Sequence, residues 1–451
     1  MRGTRRDFVG GVLAAGALSR CDRTFGGATD GLVDENQGEI VLRRPSPLDP
    51  KREVSTLGLG GVRLPVRSGK LGSQDDAVDY ETGSKYVDYA IAHGINWFDT
   101  GYFYHKGDSE KFYGHALAKH PREIFWFCTK APWWSIGSRA DAERIFEEQL
   151  ARTRLGYFDV YMLHTIMRQA DYEKAFLMTG ALDYYREQKA KGRIRYLGFS
   201  FHGREDFMDY LLRTSDWDVV TILMNGVDWA GAYRAESLLS KLKEKGIPAV
   251  GMESLAGGRL ARLKPEAHDM LRKRRPELSD AAWSLKFAAE RPGMMTAMTG
   301  FTRFEHLREN IHTFAAKTYR PLSPEDVTEY LAAIKVNSGG REGVPCSECK
   351  YCMPCPYGLD IPAIFHFWNS TIKWGTLPSP TDASDHGARL VFLNKYFRLV
   401  GRFRGADRCI GCGRCDRKCP QWQFKIPEEL NKIDAYVESL LRTESDFRCP
   451  L

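Results

Sequence analysis

Cysteine is almost absent from the first 345 residues of this 451-residue chain, where only Cys21 and Cys128 occur. The other nine of its eleven cysteines all lie from Cys346 onwards. A disulfide framework distributes cysteines along a sequence, whereas metal sites gather them into short clusters. The distribution therefore argues against a disulfide-stabilised scaffold and favours metal binding near the C-terminus.

Long apolar runs and dense basic segments are also missing. The apolar run from Val9 to Leu18 has ten residues, too few to span a bilayer as a helix. The 65 basic residues are balanced by 58 acidic ones, and the resulting charge of +7 is spread along the chain. We therefore expect no nucleic-acid partner and no transmembrane span in the mature protein. The length predicts two or three folded units.

The first thirty residues have the pattern of an export signal. A charged start with Arg5-Arg6-Asp7-Phe8 precedes the short apolar run and resembles a twin-arginine signal, which directs folded cargo across a membrane. We predict that residues 1–30 are this signal and the start of a tether, that residues 31–53 are a linker, and that the protein is periplasmic. Ala15-Gly16-Ala17 offers a cleavage site, and Cys21 offers a site for lipid attachment. The alternative is a disordered basic start on a cytosolic protein.

Short apolar runs alternate with longer amphipathic stretches over residues 54–336, which predicts α/β units on a parallel sheet. The predicted strands lie at 56–64, 96–100, 124–130, 159–164, 194–201, 219–225, 249–254 and 294–301. Helical periodicity occurs between them, for example over 142–155, 175–191 and 235–244. Eight such units are typical of a (β/α)8 TIM barrel, whose chemistry is found at the C-terminal ends of the strands. A doubly wound open sheet is the alternative, but no G-x-G-x-x-G turn follows a first strand.

Four chemically distinct side chains follow three adjacent predicted strands. Asp99 and Tyr104 follow the second strand, Lys130 ends the third, and His164 ends the fourth. An unperturbed tyrosine titrates near pH 10 and is a poor acid at neutrality, but a nearby ammonium lowers its pKa and a carboxylate holds that ammonium charged. An imidazole can donate a hydrogen bond to an oxygen that gains negative charge. The set suits the reduction of a carbonyl group.

These residues carry a family resemblance. The motifs Asp99-x4-Tyr104 and Gly107-x-Ser109-Glu110, with Lys130 and His164, resemble the aldo-keto reductase family over roughly residues 54–320. The resemblance implies NAD(P)H-dependent interconversion of a carbonyl and an alcohol by hydride transfer. It also implies that Tyr104 is the general acid/base, that Asp99 pairs with Lys130 beside it, and that His164 orients the substrate carbonyl.

The resemblance further implies a nicotinamide dinucleotide lying across the barrel mouth. Ser200, His202 and Asn225 would hold its carboxamide, and Met252 would pack on the ring, where many members have an aromatic side chain. No role is evident for Glu253, which follows Met252.

At the adenine end of that cofactor, Glu309 and Asn310 match the pair that contacts the base. Gly300 and His306 stand where members that prefer NADP often carry Lys and Arg, and Arg303 is the candidate substitute. The resemblance therefore implies NADP or NAD and leaves the choice open.

Eight of the C-terminal cysteines form two runs, which are Cys346, Cys349, Cys352 and Cys355, then Cys409, Cys412, Cys415 and Cys419. Both runs end in Cys-Pro, and the second has the spacing of bacterial ferredoxins, in which the fourth cysteine ligates the other cluster. This pattern predicts two [4Fe–4S] clusters, one on Cys346, Cys349, Cys352 and Cys419, and one on Cys355, Cys409, Cys412 and Cys415. Structural zinc is the alternative, although four-cysteine zinc sites usually come as two C-x-x-C pairs.

Residues 340–426 are thus predicted as a small α-rich ferredoxin-type domain, and 427–451 as a C-terminal helix. The aromatic insert at 359–407 is predicted to form helices that pack on the barrel, and Cys128 is predicted as a core residue.

The two predicted halves differ in redox chemistry, because a hydride carries two electrons and a cluster transfers one. The clusters are therefore either structural or coupled to the barrel through a redox partner or a further cofactor. An exported reductase would also have to retain its dinucleotide tightly. Trp133, Trp134 and Trp229 follow strand ends and could form an aromatic wall for a sugar or another cyclic carbonyl. The alternative function is an iron–sulfur electron relay or scaffold with a non-catalytic barrel.

Overall fold

The computed structural model describes residues 35–70, 73–230, 233–338, 343–346, 348–373, 376–401, 403–421, 424–445 and 447. The predicted export signal, Cys21 and Cys449 lie outside the described residues. Within the described ranges, every helix is too short or too polar to traverse a bilayer.

The strands of the described residues are β1 (Arg43–Pro45), β2 (Glu53–Ser55), β3 (Leu57–Gly60), β4 (Trp97–Asp99), β5 (Trp126–Pro132), β6 (Phe158–Ile166), β7 (Ile194–Phe201), β8 (Val219–Leu223), β9 (Ala249–Met252) and β10 (Met294–Thr299). The α-helices of the barrel half are α1 (Tyr80–Ala92), α2 (Asp108–Leu117), α3 (Arg139–Thr153), α4 (Gln169–Tyr172), α5 (Ala181–Ala190), α6 (Glu205–Thr214), α7 (Gly226–Ala230), α8 (Ala235–Glu244), α9 (Pro265–Arg274), α10 (Asp280–Glu290), α11 (Phe304–Thr313) and α12 (Pro324–Ser338). Those of the C-terminal half are α13 (Ile361–Lys373), α14 (His386–Val400) and α15 (Ile426–Thr443).

Strands β3 to β10 close into a barrel in which every neighbouring pair is parallel. Side chains alternate between the two faces of a strand, so Phe98 and Phe127 join the core beneath the helices while Trp97, Trp126 and Cys128 form a separate core. Each of the eight predicted strands is present. The (β/α)8 prediction is confirmed, and it places all C-terminal strand ends at one rim.

The prediction of a linker over residues 31–53 is wrong for its second half. Strand β1 pairs antiparallel with β2, and Val41 and Val54 are buried. The Arg52 guanidinium lies 3.8 Å from the Trp126 ring centroid and donates to Asp159 at 2.7 Å. The few apolar residues of this segment are separated by charged ones and show no strand or helix periodicity in the sequence. The hairpin that they form nevertheless packs against the barrel.

The C-terminal half has a core of its own. Helix α15 buries one stripe, formed by Ile426, Leu430, Ile433, Val437 and Leu440, whose three- and four-residue spacing is that of a helix face. The stripe packs with buried side chains of α13 and α14. The helices of the insert are therefore present as predicted, but their buried faces join α15, which corrects the expectation that they pack on the barrel.

Candidate active site

The C-terminal ends of β4, β5 and β6 bring together the four predicted catalytic side chains. Asp99 closes β4, Lys130 and His164 lie near the ends of β5 and β6, and Tyr104 begins a short 3₁₀ turn after β4. All four side chains are buried. Their convergence follows from the parallel barrel, because its strands share one C-terminal rim.

The contacts among the four residues are direct. The Lys130 ammonium donates to the Asp99 carboxylate and, at 2.5 Å, to the carbonyl of Thr100. Its Nζ lies 5.1 Å from the centroid of the Tyr104 ring. The Tyr104 hydroxyl lies 3.3 Å from Nε2 of His164. A phenol, an ammonium and an imidazole thus share one small space at the barrel mouth.

Burial decides the protonation of this site. It raises the pKa of Tyr104 well above its usual value, and the charge of Asp99 acts in the same direction. It lowers the pKa of His164 well below its usual value, an effect that Lys130 reinforces. The sequence-based expectation that Lys130 depresses the tyrosine pKa is therefore outweighed by desolvation. The phenol is protonated and the imidazole is neutral at physiological pH.

The loop after β4 is shaped to present Tyr104. A Cβ on Gly101 would lie 3.2 Å from the Tyr104 ring, so glycine permits this close contact. His105, Lys106 and Gly107 have φ angles of 50°, 57° and 90°, a left-handed run that is costly for the two residues with side chains. Such stored strain persists only where the surroundings hold it in place.

Ser109 and Glu110 of the motif hold this loop. The Ser109 hydroxyl donates to the carbonyl of Gly61 at 2.9 Å. The buried Glu110 carboxylate accepts hydrogen bonds from Gln149 at 2.6 Å and from Arg152 at 3.0 Å. Arg152 also donates to the carbonyl of Tyr102 at 2.9 Å, which ties α3 to the Tyr104 loop.

Arg152→Met should destabilise the barrel by about 3–5 kcal/mol, because it leaves the fully buried Glu110 carboxylate without its cation. The urea midpoint followed by far-ultraviolet circular dichroism measures the effect. Arg186→Met, which breaks an exposed pair with Asp183, is the control and should change the midpoint little. An equal shift in both variants would contradict a structural role for the buried pair.

The residues predicted to hold the nicotinamide carboxamide lie at the same rim. Ser200 and His202 are buried at the end of β7, and the Ser200 hydroxyl accepts from the Thr165 amide at 2.7 Å. Burial lowers the pKa of His202 to about 3. Asn225 donates to Asp228 at 2.7 Å and to the carbonyl of Glu253 at 3.0 Å. Its hydrogen-bonding capacity is therefore used within the protein, and its nicotinamide role stays a prediction.

The remaining predicted cofactor residues lie at the end of β9 and on the helix that follows β10. Met252 ends β9 and is partly buried. Arg303 is exposed at the N-cap of α11, and Glu309 and Asn310 lie further along that helix, exposed and buried respectively.

Several buried polar atoms of the rim have no hydrogen-bond partner among the described residues, among them Nδ1 of His164, Nδ1 of His202 and the hydroxyl of Ser254. Thr165 and Glu253, each beside one of them, have φ angles of 54° and 55°. Buried polar atoms without hydrogen bonds and strained backbone conformations are typical of ligand-binding sites. The donors and acceptors present thus fit a polar cofactor at the mouth. Ser254 carries no sequence motif that would have identified it.

Two of the three predicted wall tryptophans face a cavity of about 850 Å³ that lies between the barrel and the C-terminal half. Trp133 and Trp134 line it, and the Trp134 ring centroid is 5.3 Å from that of His164. Trp229 instead packs edge-on against Phe287 and is not among the lining residues.

The eight motif cysteines lie around two cavities in the arrangement predicted from their spacing. The first thiol set (Cys346, Cys349, Cys352 and Cys419) lines one cavity. The second thiol set (Cys355, Cys409, Cys412 and Cys415) lines part of the same 850 Å³ cavity that Trp133 and Trp134 line, which Cys352 also borders. Among the described residues, no three His, Cys, Asp or Glu side chains converge on a point that could hold a single metal ion.

The two cysteine runs have matching backbones. In the first run Glu348 and Lys350 have φ angles of 58° and 63°, and in the second Gly411 and Gly413, at the equivalent positions, have 70° and 64°. These left-handed residues turn each run back on itself. The Glu348 amide also points at the Cys346 sulfur at 3.4 Å. Four thiols per set, turned inward by the same fold of the chain, fit the predicted [4Fe–4S] clusters.

Tyr351 reaches the catalytic residues from the C-terminal half. It lies between Cys349 and Cys352, and its hydroxyl is 3.3 Å from Nε2 of His164. Its ring centroid is 5.7 Å from that of Trp134. No motif indicates this contact, because the sequence separation of 187 residues hides it.

Comparison with known proteins agrees with this architecture. Residues 57–334 match the aldo/keto reductase family, and residues 345–424 match the 4Fe-4S dicluster domain. An uncharacterized oxidoreductase of Bacillus subtilis, YqkF, is 26% identical over an alignment of 308 residues, which covers 61% of this chain and 91% of that protein. L-galactose dehydrogenase of Arabidopsis thaliana is 28% identical over an alignment of 305 residues, which covers 63% of this chain and 91% of that protein.

Among solved structures, an aldo-keto reductase from Klebsiella pneumoniae in complex with NADPH has a TM-score of 0.51 at 20% identity. The likeness covers 67% of this chain and 98% of that one, and it shows a shared fold. The family match spans more than half of the present chain and includes all four converging side chains. The chain therefore belongs to the aldo/keto reductase family, and it is an oxidoreductase whose barrel is followed by a 4Fe-4S dicluster domain.

Proposed function

We propose that this protein interconverts a carbonyl and an alcohol with a nicotinamide dinucleotide as hydride carrier and Tyr104 as general acid/base. The proposal rests on one observation: the Tyr104 hydroxyl lies 3.3 Å from Nε2 of His164, and the Lys130 ammonium lies beside the Tyr104 ring. Each group has a distinct task at a carbonyl oxygen that gains negative charge.

In the reducing direction, the bound dinucleotide supplies the hydride. Tyr104 donates its proton to the substrate oxygen, because the buried phenol is protonated at neutral pH. The neutral imidazole of His164 donates a hydrogen bond to the same oxygen. Lys130, held by Asp99 and the Thr100 carbonyl, stabilises the phenolate that proton transfer leaves behind. Together the three residues bind the oxygen and move one proton to it.

The direction of the tyrosine pKa shift predicts the pH dependence. Alcohol oxidation needs the phenolate of Tyr104, whose population rises about tenfold per pH unit below the pKa. Because burial raises the pKa of Tyr104, kcat/KM for oxidation should rise with pH across the alkaline range. Reduction needs the phenol and should be nearly flat between about pH 6 and 9. Initial rates in both directions measure this, and an oxidation rate that is level from pH 7 to 10 contradicts it.

NADP(H) is the proposed dinucleotide, with NAD(H) as the alternative. The Klebsiella pneumoniae neighbour binds NADPH, and exposed Arg303 stands at the N-terminus of α11, where a guanidinium and the helix dipole both favour a phosphate. Ser200, His202, Met252, Glu309 and Asn310 would complete the binding surface.

We also propose that the first and second thiol sets each hold one [4Fe–4S] cluster. The matching left-handed turns of the two runs and the two thiol-lined cavities support this assignment. Cys412 is exposed, so the second cluster would approach the surface. That exposure also favours the second candidate function, an electron relay with a non-catalytic barrel, in which a one-electron redox partner docks at this edge.

The proposed substrate is a small carbonyl or hydroxyl compound with a flat or cyclic body, such as a sugar. Trp133 and Trp134 line the cavity beside His164, and aromatic faces suit the apolar faces of a sugar ring. Two relatives are named L-galactose dehydrogenase and D-arabinose 1-dehydrogenase.

Export through the twin-arginine pathway remains a proposal that rests on Arg5, Arg6 and the short apolar run.

Native mass spectrometry of protein recovered from the periplasm tests these assignments together. The expected species retains two clusters and one dinucleotide per chain. Protein that stays in the cytoplasm contradicts export. Exported protein without a dinucleotide, inactive with added NADPH on aldehydes, ketones and sugars, contradicts the reductase proposal and favours the relay.

A further inference from the structure

The Tyr351 side chain fills a position at the centre of the active site. Its hydroxyl lies 3.3 Å from Nε2 of His164, the same distance as that between this nitrogen and the Tyr104 hydroxyl. The two hydroxyls therefore approach the same nitrogen atom. The Tyr351 hydroxyl thus occupies a hydrogen-bonding position on His164, beside the Tyr104 hydroxyl.

A carbonyl oxygen that is to receive the proton of Tyr104 must lie within hydrogen-bonding distance of it. If it also accepts from His164, its position is restricted to a small volume near both residues. The Tyr351 hydroxyl already occupies the position on His164, at 3.3 Å from the nitrogen that the Tyr104 hydroxyl also approaches. It therefore stands where the substrate oxygen would be, and the two cannot be present together.

The ring of Tyr351 is held as firmly as its hydroxyl. It packs edge-on against the His164 ring, with centroids 6.1 Å apart and an interplanar angle of 85°. The Trp134 ring lies 5.7 Å away on the cavity side. A substrate that enters past Trp134 must displace this ring.

The loop that carries Tyr351 is fixed at several points. Cys349 and Cys352 flank it and belong to the first thiol set, so a cluster there would restrain both ends of the Lys350-Tyr351 segment. The Lys350 ammonium pairs with Asp75 of the barrel, which also lies 3.7 Å from Lys106 beside the Tyr104 loop. The position of Tyr351 is thus set by the C-terminal half and not by the barrel alone.

We propose that Tyr351 is a specificity-determining residue whose hydroxyl occupies the substrate-oxygen site between Tyr104 and His164, so that a carbonyl or carboxylate ligand must displace it to bind. The inference rests on the proposed function, because it takes Tyr104 and His164 as the groups that bind the substrate oxygen. Ligands that compensate for this displacement by stacking on Trp134 are selected over small aliphatic carbonyls.

The test uses the cluster-loaded full chain with saturating NADP⁺ and sodium benzoate as an unreactive carboxylate probe. Quenching of tryptophan fluorescence measures benzoate binding, since Trp134 adjoins the site. Tyr351→Phe removes the competing hydroxyl and should lower the benzoate Kd about tenfold, the value of one hydrogen bond. Tyr351→Ala also removes the ring and should lower the Kd at least as far. Tyr210→Phe, whose hydroxyl donates to Glu173 and which is not among the residues that line the cavity, should leave the Kd unchanged.

Steady-state kinetics separates displacement from catalysis. In Tyr351→Phe the KM for a small aldehyde should fall while kcat changes less than twofold or so. A fall in kcat at unchanged KM overturns the proposal, because Tyr351 would then assist the reaction. Equal or weaker benzoate binding in both Tyr351 variants, or no binding by any variant, overturns it as well. If the wild-type protein reduces no carbonyl, the proposed function fails, yet the benzoate titration still decides the role of Tyr351. Iron content and the visible spectrum verify equal cluster loading.

Discussion

Tyr104→Phe should lower kcat for carbonyl reduction about a hundredfold to ten-thousandfold, the usual range for loss of a general acid. The ring remains, so packing against His164 and Lys130 is preserved while the transferable proton is removed. Dinucleotide binding should change little, because no predicted cofactor contact involves the lost hydroxyl. Stopped-flow or steady-state oxidation of NADPH, together with a Kd for NADP⁺, measures both quantities.

Tyr102→Phe is the matched control for this experiment. Tyr102 precedes Tyr104 by two residues, and its hydroxyl donates to the Glu148 carboxylate at 2.6 Å instead of contacting Asp99, Lys130 or His164. This variant should retain most of the wild-type kcat. Equal activity in wild type, Tyr104→Phe and Tyr102→Phe would remove the phenol from the mechanism, and equal inactivity on a broad substrate panel would favour the relay function.

Replacing Cys346 and Cys349 together by alanine should remove about half of the iron, from about eight atoms per chain to about four. The two thiols belong to the first set, so the second cluster should survive with its own spectrum. Replacing Cys409 and Cys412 should remove the other half. Iron and sulfide analysis with electron paramagnetic resonance of the dithionite-reduced protein measures both effects.

Cys128→Ala is the control for the cysteine experiment, because Cys128 is fully buried in the barrel core and far from both runs in sequence. Its iron content should equal that of the wild type. Stoichiometric zinc in place of iron in protein purified anaerobically would contradict the cluster assignment. Loss of all iron in either double variant would contradict two independently held clusters.

The sequence predicts the fold well wherever one periodicity dominates. The eight barrel strands are recognisable because parallel strands buried on both faces are nearly continuous apolar runs. The predicted helix over 175–191 fails at Gly180, whose φ of 74° ends one segment before α5 begins. A single glycine within an amphipathic pattern leaves the periodicity intact, so the break is visible only in three dimensions. The β1–β2 hairpin was missed for a related reason, since strands of three residues are too short to establish a period.

The sequence predicts those residues of the candidate site that directly follow a recognisable strand. Asp99, Lys130 and His164 each follow an apolar run, and a closed parallel barrel then brings them together. Tyr351 could not be found in this way, because its approach to His164 depends on how the C-terminal half lies on the barrel. The sequence also could not predict the direction of the Tyr104 pKa shift, because that direction depends on how completely the phenol is desolvated.

The central claim, that Tyr104 and its neighbours serve a hydride transfer at the barrel mouth, is tested most directly by isotope transfer. The protein is incubated with NADPH deuterated at both C4 positions and with a carbonyl substrate from the panel, and the alcohol is analysed by mass spectrometry. The proposed chemistry predicts that each product molecule gains one deuterium on its carbinol carbon. An alcohol that forms without deuterium, or NADPH that remains unoxidised with every carbonyl offered, would contradict it.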